Sequence, residues 1–289
     1  LGGVNPRGHA ISDATDAALL GALAIAGRED AERWGAERAR VAFVAMGRYG
    51  GRECSYASDA DVIALHEAVG GASDSEAAAS ATAIVNRVKK LLGSATSQLG
   101  IVVDLDLRPE GKNGPMSRTI ASHEEYAQRW ASTWDRQAAV RARPIGDGEL
   151  AQAARSLFES MAYRDVSDAE VRDIRLLKAR MENERLPRGT EPARHVKLGP
   201  GGLTDVEWTI QLIQMRHGRE VEALRTSSTT DAIAAARDAG LLQAPDAEIL
   251  LNAWDLATRI RAGNTLATGR MSGVKLDVVP RDSAELGAL

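Results

Sequence analysis

Cysteine is almost absent: Cys54 is the single one in a chain of 289 residues. It can form no intramolecular disulfide and build no zinc site, so the expected setting is the cytoplasm. Aromatic residues are also few, with two phenylalanines and four tyrosines, while alanine, leucine, arginine and glutamate dominate. That balance favours helices packed through small side chains over a broad sheet. No segment gathers a clustered excess of lysine and arginine, and the formal charge is −4. A nucleic-acid partner, which would be held by counterion release, is therefore not expected. No stretch reads as apolar and long enough to span a bilayer, so no membrane role is expected either. Residues 1–6 lack the basic-then-apolar pattern of a secretion signal, and the chain begins with Leu1 rather than Met, which suggests a piece of a longer protein.

What is present points to an α+β fold that is predominantly helical, a small mixed sheet with flanking helices followed by a helical bundle. The length suits two parts. The expected division is 1–145 and 146–289, at Gly146-Asp147-Gly148. Ala17, Leu20, Leu23, Ala24, Ala31 and Trp34 recur at roughly helical spacing, interrupted near Gly27, and predict one or two leading helices. Val41–Met46 and Asp61–His66 read as strands around a glycine-rich turn, Ser75–Gln98 as a helix, and Ile101–Leu107 as a third strand. Glu110–Pro115 is a loop by composition. Helical patterns then cover Glu124–Ala142, Ala151–Tyr163, Asp168–Arg185, Asp205–His217, Thr230–Ala239 and Asp246–Ala262. The tail after Gly273 reads as loosely structured.

The most informative stretch is Gly47-Arg-Tyr-Gly-Gly51, followed by Ser58-Asp59-Ala-Asp61 at the mouth of the second strand. Side chains alternate along a strand, so Asp59 and Asp61 share one face. Two such carboxylates repel each other unless cations neutralise them, and Mg²⁺ held by carboxylates and substrate phosphates is the common solution in phosphoryl chemistry. The third strand adds Asp104 and Asp106, which strand parity cannot tell apart. Gly50 and Gly51 carry no Cβ, which lets the backbone approach a triphosphate. Gly50, Gly51 and Ser58 are thus candidate nucleotide contacts, with Arg48, Arg52 and Lys112 as candidate phosphate-binding cations. Arg141 and Arg143 face the acidic strands or lie on a helix surface. Trp130 and Trp134 suit core packing, as does Cys54.

Together these residues resemble the DNA polymerase beta-like nucleotidyltransferase superfamily and, more narrowly, the glutamine synthetase adenylyltransferase family. Four blocks carry the resemblance: Ala45 to Asp61, Val103 to Gly111, Trp134 to Arg143, and Lys197-Leu-Gly-Pro-Gly-Gly-Leu-Thr-Asp-Val-Glu-Trp208. It covers roughly residues 41–218. It implies a nucleotidyltransferase-type sheet, ATP as substrate, two Mg²⁺ ions on Asp59, Asp61 and Asp104, and glutamine synthetase as the protein that receives AMP on a tyrosine hydroxyl. A PII-type signalling protein is an implied further partner. Asp106 departs from the family pattern, where arginine is common. The family protein carries two similar halves, one removing AMP by phosphorolysis and one adding it. Ser55-Tyr56-Ala57-Ser58 and Leu65-His66 look more like the carboxy-terminal, adding half. AMP removal, or a silent module that docks glutamine synthetase or a PII-type protein, stands as the alternative.

Overall fold

The computed structural model describes residues 6–56, 58–93, 100–269 and 274–280. The chain opens with one continuous helix, α1 (Pro6–Trp34), whose buried face is Ser12, Thr15, Leu19, Ala22, Ala26 and Asp30. Leu20 and Trp34 of the apolar spacing lie on its exposed side. The hydroxyls of Ser12 and Thr15 donate to the carbonyls of Gly8 and Ile11, each at 2.8 Å. Their polar atoms are thereby satisfied, and small side chains let the helix approach its neighbours. Contrary to the sequence reading, α1 is by length and composition apolar enough to cross a membrane. In this structure its charged residues tie it to the folded unit, Asp13 to Arg52, Asp16 to Arg143 and Glu29 to Arg87.

The apolar run after α1 forms β1 (Ala39–Ala45), followed by a single helical turn, α2 (Gly47–Gly50), and β2 (Ala60–Ala68). Then comes α3 (Asp74–Leu92), started by a reciprocal capping box between Ser73 and Glu76. It closes with Gly93 as C-cap; the expected end at Gln98 lies outside the described residues. The third strand, β3, is only Val103–Asp104. It stops there because the chain folds back: Arg108 N–H donates to Leu105 O at 3.1 Å, and the Arg108 guanidinium donates to Leu105 O and Gly114 O. Two short strands, β4 (Ser117–Arg118) and β5 (Arg143–Pro144), complete a mixed sheet of order β3-β2-β1-β5, with β4 also on β2. β1 and β2 are antiparallel, whereas β3 and β4 run parallel to β2.

The expected helix over Glu124–Ala142 is two, α4 (Ile120–Arg129) and α5 (Thr133–Ala139). Ser132 and Asp135 form a second capping box, which starts a new helix rather than extending the old one. Trp130, at the break, is 74% exposed, so it is not the core residue its spacing implies. α6 (Glu149–Ala162) packs against β1 and β5. For that reason the compact unit holding the sheet, residues 8–53 and 59–162, ends after Ala162 and not at Gly146.

His123 of α4 is 2% exposed, edge-on to the ring of Phe158, and beside a cavity of about 20 Å³. Burial, with help from the Arg118 charge, lowers its pKa to about 4. The folded protein thus holds this ring neutral where an unfolded chain would protonate it. The associated stability is complete above about pH 6.5 and is lost as pH falls toward about 4, a total of roughly 3 kcal/mol. Urea unfolding across that range is expected to show the slope, and His123→Leu to remove that part of it.

The second unit takes in residues 1–7, 54–58 and 163–289, with α7 (Asp168–Glu184), α8 (Leu203–His217), α9 (Thr229–Asp238) and α10 (Ala244–Thr268). Val206, Ile210, Ile233, Ala236 and Trp254 meet in its core. The Gly-Pro-Gly-Gly turn before α8 is braced by Asp205, which accepts from Gly201 N–H at 2.6 Å and pairs with Lys178. Neither Thr204 nor Asp205 is the N-cap; that residue is Gly202. Contrary to expectation, part of the tail is held: Val278 bridges His195, and Asn264 donates to Leu276 O and Val278 O.

Candidate active site

Asp61 and Asp104 are register partners on the parallel strands β2 and β3. Buried Ala60 and Val103 anchor this pairing on the strand interior, and Ala60 N–H donates to Val102 O at 2.8 Å. Asp59 immediately precedes β2. Partial burial, and next the charge of Asp104, raise its pKa above the usual aspartate value. Asp104 is thus the register partner of Asp61 and the neighbouring charge felt by Asp59. Asp104 Oδ1 accepts from Asp106 N–H at 2.7 Å. Asp106 itself lies beyond the strand and is balanced by Lys112 at 3.2 Å and Arg108 at 3.9 Å, so its added charge is answered locally.

Behind Asp61 lies α2. Met46 N–H donates to Asp61 O at 2.9 Å, and Gly47 follows with φ of +53°. A Cβ on Gly47 would stand 3.1 Å from Asp61 Oδ2. The left-handed backbone and the carboxylate beside it both call for glycine here.

Gly50 and Gly51 have a different job from the expected phosphate cradle. Their N–H groups are already donated, Gly50 to Met46 O at 2.7 Å and Gly51 to Gly47 O at 3.2 Å. Gly50 is needed for packing: a Cβ there would lie 1.9 Å from Arg141 O and 2.7 Å from Ala45 O, both backbone atoms. Gly50→Ala is expected to cost about 1–3 kcal/mol through overpacking; an unchanged melting temperature would show that the turn yields freely.

Each candidate cation has a partner of its own in the chain. Arg48 Nε donates to Glu53 O at 3.0 Å, Arg52 pairs with Asp13, and Lys112 pairs with Asp106. Ser58 Oγ accepts from Ser55 N–H at 2.8 Å, closing a local turn. Arg141 and Arg143 do not lie on a helix surface. Arg141 forms a buried ion pair with Glu53, and Arg143 a fork on Asp16, which also accepts from the Tyr49 hydroxyl. Local spacing gave no sign of Glu53 or Asp16, because their partners are far away in the chain. Among the described residues, no basic side chain pairs with Asp59 or Asp104.

That unanswered negative charge suits a divalent cation. Among the described residues no three Asp, Glu, His or Cys side chains form a finished metal cage. Mg²⁺ does not demand one, since it keeps waters and takes phosphate oxygens of the substrate alongside one or two carboxylates. The donor set fits the ion.

Residues 8–157 match the family model for glutamate-ammonia ligase adenylyltransferase. The chain belongs to that family. Residues 175–272 match the family model for GlnD PII-uridylyltransferase. Among similar proteins, one from Streptomyces coelicolor, named a bifunctional glutamine synthetase adenylyltransferase/adenylyl-removing enzyme, is 45% identical over 98% of this chain. Proteins of the same name from Streptomyces avermitilis and Mycobacterium marinum are 47% and 40% identical over 98% and 97% of it. The chain spans 28% of the length of each of these three relatives. Membership in this adenylyltransferase family agrees with the α+β architecture and gives the paired aspartates a chemical context.

Proposed function

We propose that this chain transfers AMP from ATP to a tyrosine hydroxyl of glutamine synthetase and releases pyrophosphate. The observation that carries the reading is the side-by-side register of Asp61 and Asp104, with Asp59 close enough to feel Asp104's charge. Asp59, Asp61 and Asp104 would hold Mg²⁺, two ions in this reading, which would offset the charge of the triphosphate. A tyrosine hydroxyl, with a pKa of roughly 10, needs a base near neutral pH. Asp104 can serve as that base, because the Asp106 N–H fixes Oδ1 and leaves Oδ2 for the proton. The tyrosine oxygen bonds to the α-phosphorus as the bond to the pyrophosphate oxygen breaks. The direction of transfer rests on the likeness of Ser55-Tyr56-Ala57-Ser58 to the adding half. The setting in this reading is the cytoplasm. The match over 175–272 supports a PII-type protein as a partner of the helical unit.

Intact-mass measurement of glutamine synthetase after incubation with the chain, ATP and Mg²⁺ tests the reading. A gain of one adenylyl group per subunit is expected. No gain, with phosphate-dependent release of ADP from modified synthetase, would assign the removing reaction instead.

A further inference from the structure

We infer that Arg141 is a positioning residue for the acidic site, bracing the Gly47 peptide against which the Asp61 carboxylate rests; this builds on the proposed roles of the aspartates. The chain folds residues 47–53 into a closed turn. Glu53 N–H donates to Arg48 O at 2.8 Å and Arg48 Nε returns a bond to Glu53 O. Arg141 reaches both ends of this turn at once. Its Nε donates to Gly47 O at 3.0 Å, and its Nη2 pairs with the Glu53 carboxylate. Both side chains are 4% exposed, so neither end of the brace exchanges readily with water. The Arg141 carbonyl also lies against Gly50, where a Cβ could not fit. Side chain and backbone of one residue thus fix the turn from the far side.

The consequence falls on Asp61. Gly47 is held in a left-handed conformation with Asp61 Oδ2 beside its Cα, and Met46 N–H is bonded to Asp61 O. A shift of the Gly47 peptide would change the space that the carboxylate occupies. Glu53 has a second effect: it neutralises the guanidinium, so the brace adds no net positive charge behind a cluster meant to attract a cation. Arg143 supplies a comparison. It donates to Gly50 O at 3.1 Å and is anchored on Asp16, at the other end of α2 from Gly47.

The test compares Arg141→Lys with Arg143→Lys in the full chain. Lysine keeps the charge but has no fork with which to span Gly47 O and Glu53. Mn²⁺ binding in the presence of a non-hydrolysable ATP analogue is read by electron paramagnetic resonance, with kcat and KM for adenylyl transfer and a melting curve alongside. Arg141→Lys is expected to weaken Mn²⁺ binding about tenfold and lower kcat with little change in KM for glutamine synthetase, whereas Arg143→Lys lowers the melting temperature and leaves Mn²⁺ affinity intact. Equal effects of the two variants on Mn²⁺ binding, or none from Arg141→Lys, overturn the inference. Should Arg141→Lys not fold, Glu53→Asp, which withdraws the carboxylate from the fork, is read by the same criteria. Wild-type Mn²⁺ binding unaffected by Asp61→Asn would instead remove the underlying reading of the aspartates.

Discussion

Asp61→Asn is expected to lower adenylyl transfer by at least about three powers of ten, roughly 4 kcal/mol of transition-state stabilisation. Asparagine keeps the size and shape of the side chain beside Gly47 but carries no charge. Asp104, its register partner, and Asp59 would remain, and two carboxylates attract a cation less strongly than three. The fold should hold, because the asparagine side chain can still accept a hydrogen bond where the carboxylate did. The measurement pairs transfer of labelled AMP with thermal melting. A melting temperature within a few degrees and a rate at the detection limit are expected; more than a tenth of the wild-type rate would end the metal assignment. A pH profile gives a second view. Asp59 protonates at higher pH than an ordinary aspartate because of partial burial and the charge of Asp104. Transfer should fail earlier on the acid side for that reason, and more Mg²⁺ should move the edge back to lower pH.

Arg141→Ala should destabilise the fold more than any other substitution named above. It leaves the Glu53 carboxylate buried with its guanidinium partner gone, a situation that costs about 3–5 kcal/mol. For a unit of this size each kcal/mol shifts the melting temperature by about 2–4 °C, so a fall of about 10 °C is expected in calorimetry. Replacing both members at once, Arg141→Met with Glu53→Leu, should recover much of the loss, since no buried charge then lacks a partner. A loss below about 1 kcal/mol for Arg141→Ala would mean that water reaches Glu53 and the pair is not a brace.

The sequence disclosed the aspartates more readily than their surroundings. Asp61 and the apolar strand ahead of it are local signals, written within twenty or so residues, whereas Asp59 falls just before β2 and not on it. The strand holding Asp104 was legible, but its length was not: Arg108 turns the chain back after two paired residues, and alternation of valine and leucine carries no mark of that. Helix breaks were missed where a capping serine lay inside an apolar period, as at Ser132. The glycines of the turn were legible as necessary and misread as to cause. Gly50 answers to the backbone of Arg141, and no inspection of residues 47–51 could reveal a neighbour so distant in the chain. The same holds for Asp16, which gathers Tyr49 and Arg143.

The brace on α2 also bears on how the molecule matures. The bonds from Arg141 to Gly47 and Glu53 close loops of 94 and 88 residues, and contacts of such long range form late because the chain between must first be ordered. During synthesis the acidic strands would emerge well before the segment that steadies them, so a nascent chain should bind nucleotide only after residue 141 has cleared the ribosome.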